Sequence, residues 1–247
     1  MKFRGTVFVA LFIAAMIPAA GQDQASTPPD EVYTGSFGFG LAVTGGNTDT
    51  SSYNLSFDLT RDPKTKNVIK ANAFYLRSST DGESTADNLR LGIRDEYHFS
   101  ERVFIYGDFG YLRDPFRDIT YLLNPQGGLG YKIYNTDAVG LTLSGGGGAV
   151  WEKNSDVDVN TSGTLNMGEN FTLKLSENAT LTQNFAALWK TKDFEDALYH
   201  FDIGLAATII KNIAVKIEFR NDYKNVTPSP DIKNNDTAFI TSVQYKF

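Results

Sequence analysis

The sequence predicts an all-β chain folded as a transmembrane, antiparallel up-and-down β-barrel of about twelve strands, most of them near the roughly 9 to 11 residues that a tilted strand needs to cross hydrocarbon. Three observations carry this. Apolar and polar residues alternate with a period of two through most of the chain after Tyr33. The alternating runs are broken by Gly, Asn, Asp, Pro and Ser, the residues of tight turns. The last run ends on an aromatic residue: Thr237, Phe239, Thr241, Val243, Tyr245 and Phe247 share one face, while Ala238, Ile240, Ser242, Gln244 and Lys246 share the other. A soluble sandwich could show the same alternation with its polar face outward, but here the polar face must be the inside of a ring.

The 247 residues could hold one large all-β domain or two small ones, so length alone does not decide. The informative counts are 18 Phe, 12 Tyr and 22 Gly against 2 His and no Cys. Aromatic residues suit the girdles of a barrel and glycine suits closely packed strands. Without Cys there is no disulfide framework, no thiolate metal site and no lipoprotein anchor. The formal charge of −6 and the absence of a Lys/Arg cluster argue against nucleic acid as a partner, because phosphate binding needs a basic surface. A mean hydropathy of −0.26 is compatible with a membrane barrel, since only alternate residues face lipid.

Lys2 and Arg4 precede a short apolar run, Gly5 to Ile17, and the small residues Ala19, Ala20 and Gly21 follow Pro18. This is the three-part layout of a secretory signal, and the run is too short for a spanning helix of about 20 residues. Cleavage is expected after Gly21, making residues 1–21 a signal peptide, 22–32 a flexible periplasmic lead-in with Pro28 and Pro29, and 33–247 the barrel.

In the first strand Phe37, Phe39, Leu41 and Val43 alternate with Gly38, Gly40 and Ala42, and Gly45 to Asp49 make a turn. Tyr53, Leu55, Phe57 and Leu59 answer on the second strand, ended by Asp62 and Pro63. The third, Asn67 to Ser78, is apolar on both faces. Lys70 and Asn72 are placed inward because charge in lipid costs more. The fourth sets Leu89, Leu91, Ile93, Tyr97 and Phe99 against Arg90, Arg94, Glu96 and His98, with Asp95 breaking the lipid face. Val103, Ile105, Phe109 and Tyr111 then oppose Tyr106 and Asp108, and Tyr121, Leu123, Leu129, Tyr131 and Ile133 oppose Asn124, Gln126 and Lys132. Pro125, unable to donate a ladder hydrogen bond, predicts a bulge.

The seventh strand carries Val139, Leu141, Leu143, Ala149 and Trp151 outward around Gly145 to Gly148. No helix pattern and no Lys-Ser/Thr follow those glycines, so they read as close strand packing and not as a phosphate loop. Leu165, Met167, Phe171 and Leu173 make the eighth face, broken by Glu169. Leu181, Phe185, Ala187 and Trp189 make the ninth, and Tyr199, Phe201, Ile203, Leu205 and Ile209 the tenth. Ile213, Val215, Ile217, Phe219 and Tyr223 alternate with Lys216, Glu218, Arg220 and Asp222 in the eleventh, the cleanest amphipathic strand. The turns at Ser100, Asn135, Ser176 and Lys211 read as short and those at Thr80, Asp114, Asn154, Thr191 and Asn225 as longer, although Arg61 to Lys66 is long for the short-turn side. That asymmetry predicts both termini in the periplasm.

Three stretches carry a family resemblance: Gly45-Gly46-Asn47-Thr48-Asp49-Thr50; Tyr111-Leu112-Arg113-Asp114 with Phe116 and Asp118-Ile119; and Gly127-Gly128-Leu129-Gly130-Tyr131-Lys132 followed by Thr136. The chain from Tyr33 to Phe247 resembles a domain-of-unknown-function family of outer-membrane proteins labelled salt-induced. The resemblance implies an outer-membrane barrel of Gram-negative bacteria and a link to salt or osmotic response, and it supplies no catalytic residues.

Two histidines leave few enzymatic options. His98-Phe99-Ser100 is similar to the His-x-Ser pair of outer-membrane phospholipases, but Glu101-Arg102 follow where that family has Asn-Gly. His200 and Asp202 resemble the Asp-His couple of outer-membrane proteases, without the paired carboxylates that would complete it. No cluster has metal-ligand spacing and no cofactor is expected. The candidate site is therefore the lumen, lined by Arg90, Arg94, Glu96, Asp108, Lys132, Glu152, Asp202, Lys216, Glu218 and Arg220, a near balance of signs. It suits a narrow, weakly selective channel for small solutes or ions, or else a non-conducting structural or surface-binding barrel. The expected partners are outer-membrane lipid and the barrel-assembly machinery, the latter reading Val243, Tyr245 and Phe247 as an assembly signal. Deleting Phe247 is accordingly expected to lower the amount of heat-modifiable folded barrel in the outer membrane, and unchanged insertion would reject that role.

Overall fold

The computed structural model describes residues 32–44, 50–155, 157–227, 230 and 232–247. The expected signal segment, the lead-in up to Glu31 and the turn Gly45 to Asp49 lie outside them. Twelve strands follow one another among the described residues: β1 (Tyr33–Thr44), β2 (Thr50–Arg61), β3 (Asn67–Thr80), β4 (Glu83–His98), β5 (Val103–Asp114), β6 (Ile119–Asn135), β7 (Val139–Lys153), β8 (Asn160–Lys174), β9 (Ala179–Lys190), β10 (Asp193–Ile210), β11 (Ile213–Lys224) and β12 (Asn235–Lys246). Each pairs antiparallel with its sequence neighbours, and β12 returns to β1 to close the ring. At that seam Ser36 sits opposite Lys246 and Phe39 opposite Val243. The Gly35 N–H donates to the Phe247 carbonyl at 2.8 Å, and the Phe247 N–H donates back to the Gly35 carbonyl at 3.0 Å. The terminal residue therefore finishes the ladder.

The alternation read from the sequence divides outside from inside. Phe239 is 74% exposed while its neighbour Ile240 is 6% exposed. The same contrast runs along β1, where Phe37 and Phe39 are exposed and Gly38 and Gly40 are buried, and along β11, where Ile217 is exposed and Glu218 is 4% exposed. A continuous apolar belt of this kind exceeds what a water-soluble surface tolerates and suits hydrocarbon. Aromatic pairs sit at both rims. Tyr97 lies against Phe99 and Tyr245 against Phe247 at the rim holding Tyr33, here called the near rim. At the far rim Tyr53 lies against Tyr75, and the Trp189 indole N–H donates to the Tyr199 hydroxyl at 3.0 Å. Such amphipathic rings favour a boundary between hydrocarbon and water.

Four expectations are corrected. Pro125 makes no bulge: it sits opposite Phe109, and Leu123 opposite Trp151 keeps the same register as Gln126 opposite Gly148. The missing N–H costs pairing locally without displacing the strand. The bulge in β6 falls between Lys132 and Tyr134 instead, which turns Tyr134 outward at 56% exposure in place of Ile133. The turns after Thr80 and Lys190 are not long, since each spans two residues between paired strands. At the first, Asp81 and Gly82 both have positive φ, the backbone that matches hairpin twist. Chain length at the far rim has gone into extended strands, up to 18 residues in β10, and only the β11–β12 connection is markedly longer than the near-rim turns.

The lumen glycines do not leave open space. A Cβ on Gly130 would meet the ring of Phe104, on Gly92 the amide of Asn72, and on Gly40 that of Asn54. Each glycine is the receptacle for a large side chain on the next strand, so the small residues let the lumen fill. Gly128 and Gly146 bring backbones together at the centre of the β6–β7 pair, as the close-packing reading required.

Asp95 and Glu169 do lie on the lipid face, and each has a polar neighbour there. The Asn67 amide donates to Asp95 at 2.8 Å and the Gln183 amide to Glu169 at 3.4 Å. Because Ile217 faces lipid near the middle of β11, replacing it with Arg is expected to destabilise the barrel by about 2 to 4 kcal/mol, read by denaturant unfolding in vesicles. Labelling of Glu218 by a lipid-borne carboxyl reagent would contradict this register.

Candidate functional site

The lumen side chains are brought together by register, because residues directly opposite on neighbouring strands point the same way. Lys70 on β3 lies opposite Arg94 on β4, and Arg94 opposite Asp108 on β5. Three ionic groups result, stacked from rim to rim. Nearest the near rim, Glu96 (3% exposed) accepts from Lys70 at 2.8 Å and Arg94 at 3.1 Å, and Arg94 reaches Asp108 at 3.2 Å. The Arg94 guanidinium lies 3.6 Å from the centre of the Tyr106 ring. Lys132 sits close by, within electrostatic reach of Lys70 and Glu96.

On β11, Glu218 is held between Lys216 and Arg220, and the Arg220 guanidinium lies 3.6 Å above the Phe74 ring. Farther along, Asp222 pairs with Arg90 at 2.6 Å and contacts His200 Nδ1 at 2.7 Å, while Asp202 meets His200 Nε2 at 3.1 Å. Asn184 and Asn170 extend this group, the Asn184 amide donating to Asp202 at 2.8 Å.

The third group closes part of the far rim and was only half legible in the sequence. Glu152 on β7 is 1% exposed and binds Lys190 on β9 at 2.5 Å and Lys224 on β11, while Lys190 also reaches Asp196 at 2.6 Å. These strands are not neighbours, so the ion pairs run as chords across the ring. Beneath them Ile119, Leu122 and Val150 form a dry cluster with Leu112 and Leu198 packed against it. Arg117, on the short 3₁₀ turn Pro115–Arg117 after β5, folds inward and is 2% exposed. Lys190 and Lys224 lie at inward-facing strand ends, a parity that could have been read. Nothing in the turn containing Arg117 announces that it points inward.

Between these groups lie two chambers. The larger, about 550 Å³, is lined by Asp58, Glu96, Asp108, Asp202 and Glu218 and by Lys70, Arg90, Arg94, Lys216 and Arg220. Five acids thus stand beside five Lys and Arg side chains and His200. The smaller, about 260 Å³, lies toward the dry cluster and includes Leu112, Leu122 and Leu198 with Asn124, Gln126 and Asn166.

Neither histidine is arranged as a catalytic base. His98 touches Glu96 at 3.3 Å and stacks on Phe104, whereas the Ser100 hydroxyl accepts the Val103 N–H at 3.0 Å and serves its own turn. His200 has a carboxylate on each ring nitrogen, the second being Asp222, which sits opposite it on β11 and which the sequence reading had not joined to it. Asp222 and Asp202 occupy the two ring nitrogens and Arg90 lies 3.1 Å from Nδ1, so the ring is held among lumen side chains, and among the described residues no serine or other nucleophile is placed beside it. Among the described residues no group of three or more His, Asp or Glu could hold a metal ion.

A closed ring of antiparallel strands, apolar outside and ionic within, defines the chain as a β-barrel of the transmembrane type. It belongs to the family described as "Protein of unknown function, DUF481", whose model matches residues 37–247. The fold is similar to the NanC porin, with TM-score 0.53 and 10% identity over 87% of this chain and 100% of that one. It is also similar to an outer membrane channel from Pseudomonas putida F1, with TM-score 0.50 and 11% identity over 92% and 99%. At such identities the likeness is one of fold. No curated protein matches the sequence.

Replacing Glu152 with Gln would leave Lys190 and Lys224 buried without their shared counter-charge. The expected loss is about 3 to 5 kcal/mol of barrel stability, read as a lowered midpoint of heat-modifiability. Lys64→Gln, which breaks an exposed pair with Asp62, is expected to change the same midpoint by less than about 1 kcal/mol.

Proposed function

We propose that this chain is an outer-membrane β-barrel, exported through a cleaved signal peptide, that provides a narrow and weakly selective path for small solutes or ions. One observation carries the reading: the larger chamber is polar, about 550 Å³ in volume, and lined by both acidic and basic side chains, among which Lys70, Arg94, Lys216 and Arg220 pair with Glu96, Asp108 and Glu218. Selectivity of a pore comes from rings of one sign, and interleaved pairs leave little net field to prefer either ion. Twelve strands also fall between the eight that side chains fill and the sixteen that leave an aqueous channel. The porin-like fold supports the reading, and the arrangement of both histidines supports a non-enzymatic role. The link to salt or osmotic response comes from the family resemblance; a slow path for small solutes is compatible with it.

A second reading, a structural or surface-binding barrel that does not conduct, is favoured by the dry layer of Ile119, Leu122 and Val150 under the Glu152 ion group. Planar-bilayer recording separates the two. The expected result is a small conductance with cation and anion permeabilities within a few-fold of each other, enlarged by the double change Leu122→Ala and Val150→Ala. A large, strongly ion-selective conductance would reject the balanced chamber. Silence in both proteins would reject the channel in favour of the second reading.

A further inference from the structure

The outward face of the barrel is not uniform at the far rim. On β3 to β7 it carries Arg77, Arg113 and Lys153, the outward parity of Arg113 and Lys153 following from Asp114 and Glu152, which are buried inside. One carboxylate, Asp87, stands among them, opposite Arg77 in register and 2.9 Å from Arg113. Tyrosines surround the cations: Tyr53 lies opposite Arg77, Tyr75 is hydrogen-bonded to Arg77, and Tyr121 lies opposite Lys153. The matching outward positions on β8 to β12 are uncharged, namely Thr161, Trp189, Tyr199, Tyr223 and Thr237. At these outward strand positions a protein of net charge −6 has thus gathered three cations against one anion, with Asp81 and Glu83 exposed beyond them on the β3–β4 hairpin.

We propose that this sector is a docking surface for the phosphate groups of a phosphorylated glycolipid in the outer leaflet. The inference rests on the outer-membrane reading with the far rim outward. The chemistry is specific. Arg77 is exposed, so its guanidinium is open to a ligand from the membrane side. Arg113 pairs with Asp87, which also sits opposite Arg77 across the ladder. Guanidinium groups match phosphate oxygens bidentately, and the desolvated boundary between headgroup and acyl chain strengthens such pairs. Neighbouring strands lie about 4.8 Å apart, so β3, β5 and β7 set the three cations at intervals of about 10 Å, the scale of a headgroup with more than one phosphate. The tyrosines supply flat, amphipathic contact at the depth where sugar meets acyl chain.

The test uses the full mature barrel folded in detergent micelles and offered a bisphosphorylated diglucosamine lipid, its dephosphorylated form, or phosphatidylglycerol. Retained lipid is counted by native mass spectrometry. The expected result is retention of the bisphosphorylated lipid at least several-fold above the other two, lost to their level in the Arg77→Gln, Arg113→Gln double variant and kept in Arg61→Gln, whose cation lies at the near rim. Asp87→Asn should raise retention, because it removes the competing carboxylate. A purely structural Arg113–Asp87 pair would give lower heat stability in that variant and no such gain. Equal retention of all three lipids, equal loss on Arg61→Gln, or no gain on Asp87→Asn would overturn the proposal. Heat-modifiability, followed in every sample, reports folding of the barrel separately from lipid retention. Insertion of the purified barrel into vesicles reports the membrane reading itself, so the two can fail independently.

Discussion

The structure depends on one constraint: a backbone N–H or C=O facing hydrocarbon has no water to bond, so every strand needs a partner on both sides. A sheet can meet this only by closing, and closure here falls to the reciprocal bonds between Gly35 and Phe247 at the start of β1 and the end of β12. Because each strand neighbours its predecessor, the whole ring is built from short connections and one seam. The unbroken ladder also explains how Pro125 is tolerated in mid-strand. Its neighbours keep their register, and the lost donor is a local deficit in an otherwise paired ring.

Closure fixes what the inside must hold. Every second residue of twelve strands is delivered to one lumen, where charges are partly withdrawn from water and must find counter-charges. The groups around Glu96 and Glu218 do so along and between adjacent strands, while Asp222 on β11 also reaches across the ring to Arg90 on β4. The Glu152 group does so across the ring, joining β7, β9 and β11. Such chords resist flattening of the barrel at the far rim, which a ladder between neighbours cannot do. The dry cluster below them adds a hydrophobic core of the kind found in soluble domains.

Glycine and bulk are complementary inside the same ring. Phe104 lies over Gly130, Asn72 over Gly92 and Lys216 over Gly204, each large side chain occupying the space its neighbour leaves. The consequence is a lumen divided into chambers, in which volume is set by pairs of residues and not by the count of small ones. Outside, the basic and tyrosine-rich sector on β3 to β7 gives the barrel a distinct side.

The sequence by itself determined the architecture: the period of two settled which side of each strand meets lipid, and a terminal aromatic strand with turn residues at intervals settled closure and strand number. It also placed Arg90, Arg94, Glu96, Asp108, Lys132, Glu152, Asp202, Lys216, Glu218 and Arg220 on the inner face, because parity is a local property of the chain. Tertiary structure decided which of these meet. That His200 lies between Asp202 and Asp222, that Lys190 and Lys224 converge on Glu152, and that Arg117 turns inward all depend on register and on the curvature that carries one strand across from another. Those quantities are set by the ring as a whole, and a linear pattern of alternation is the same for every register that preserves its faces.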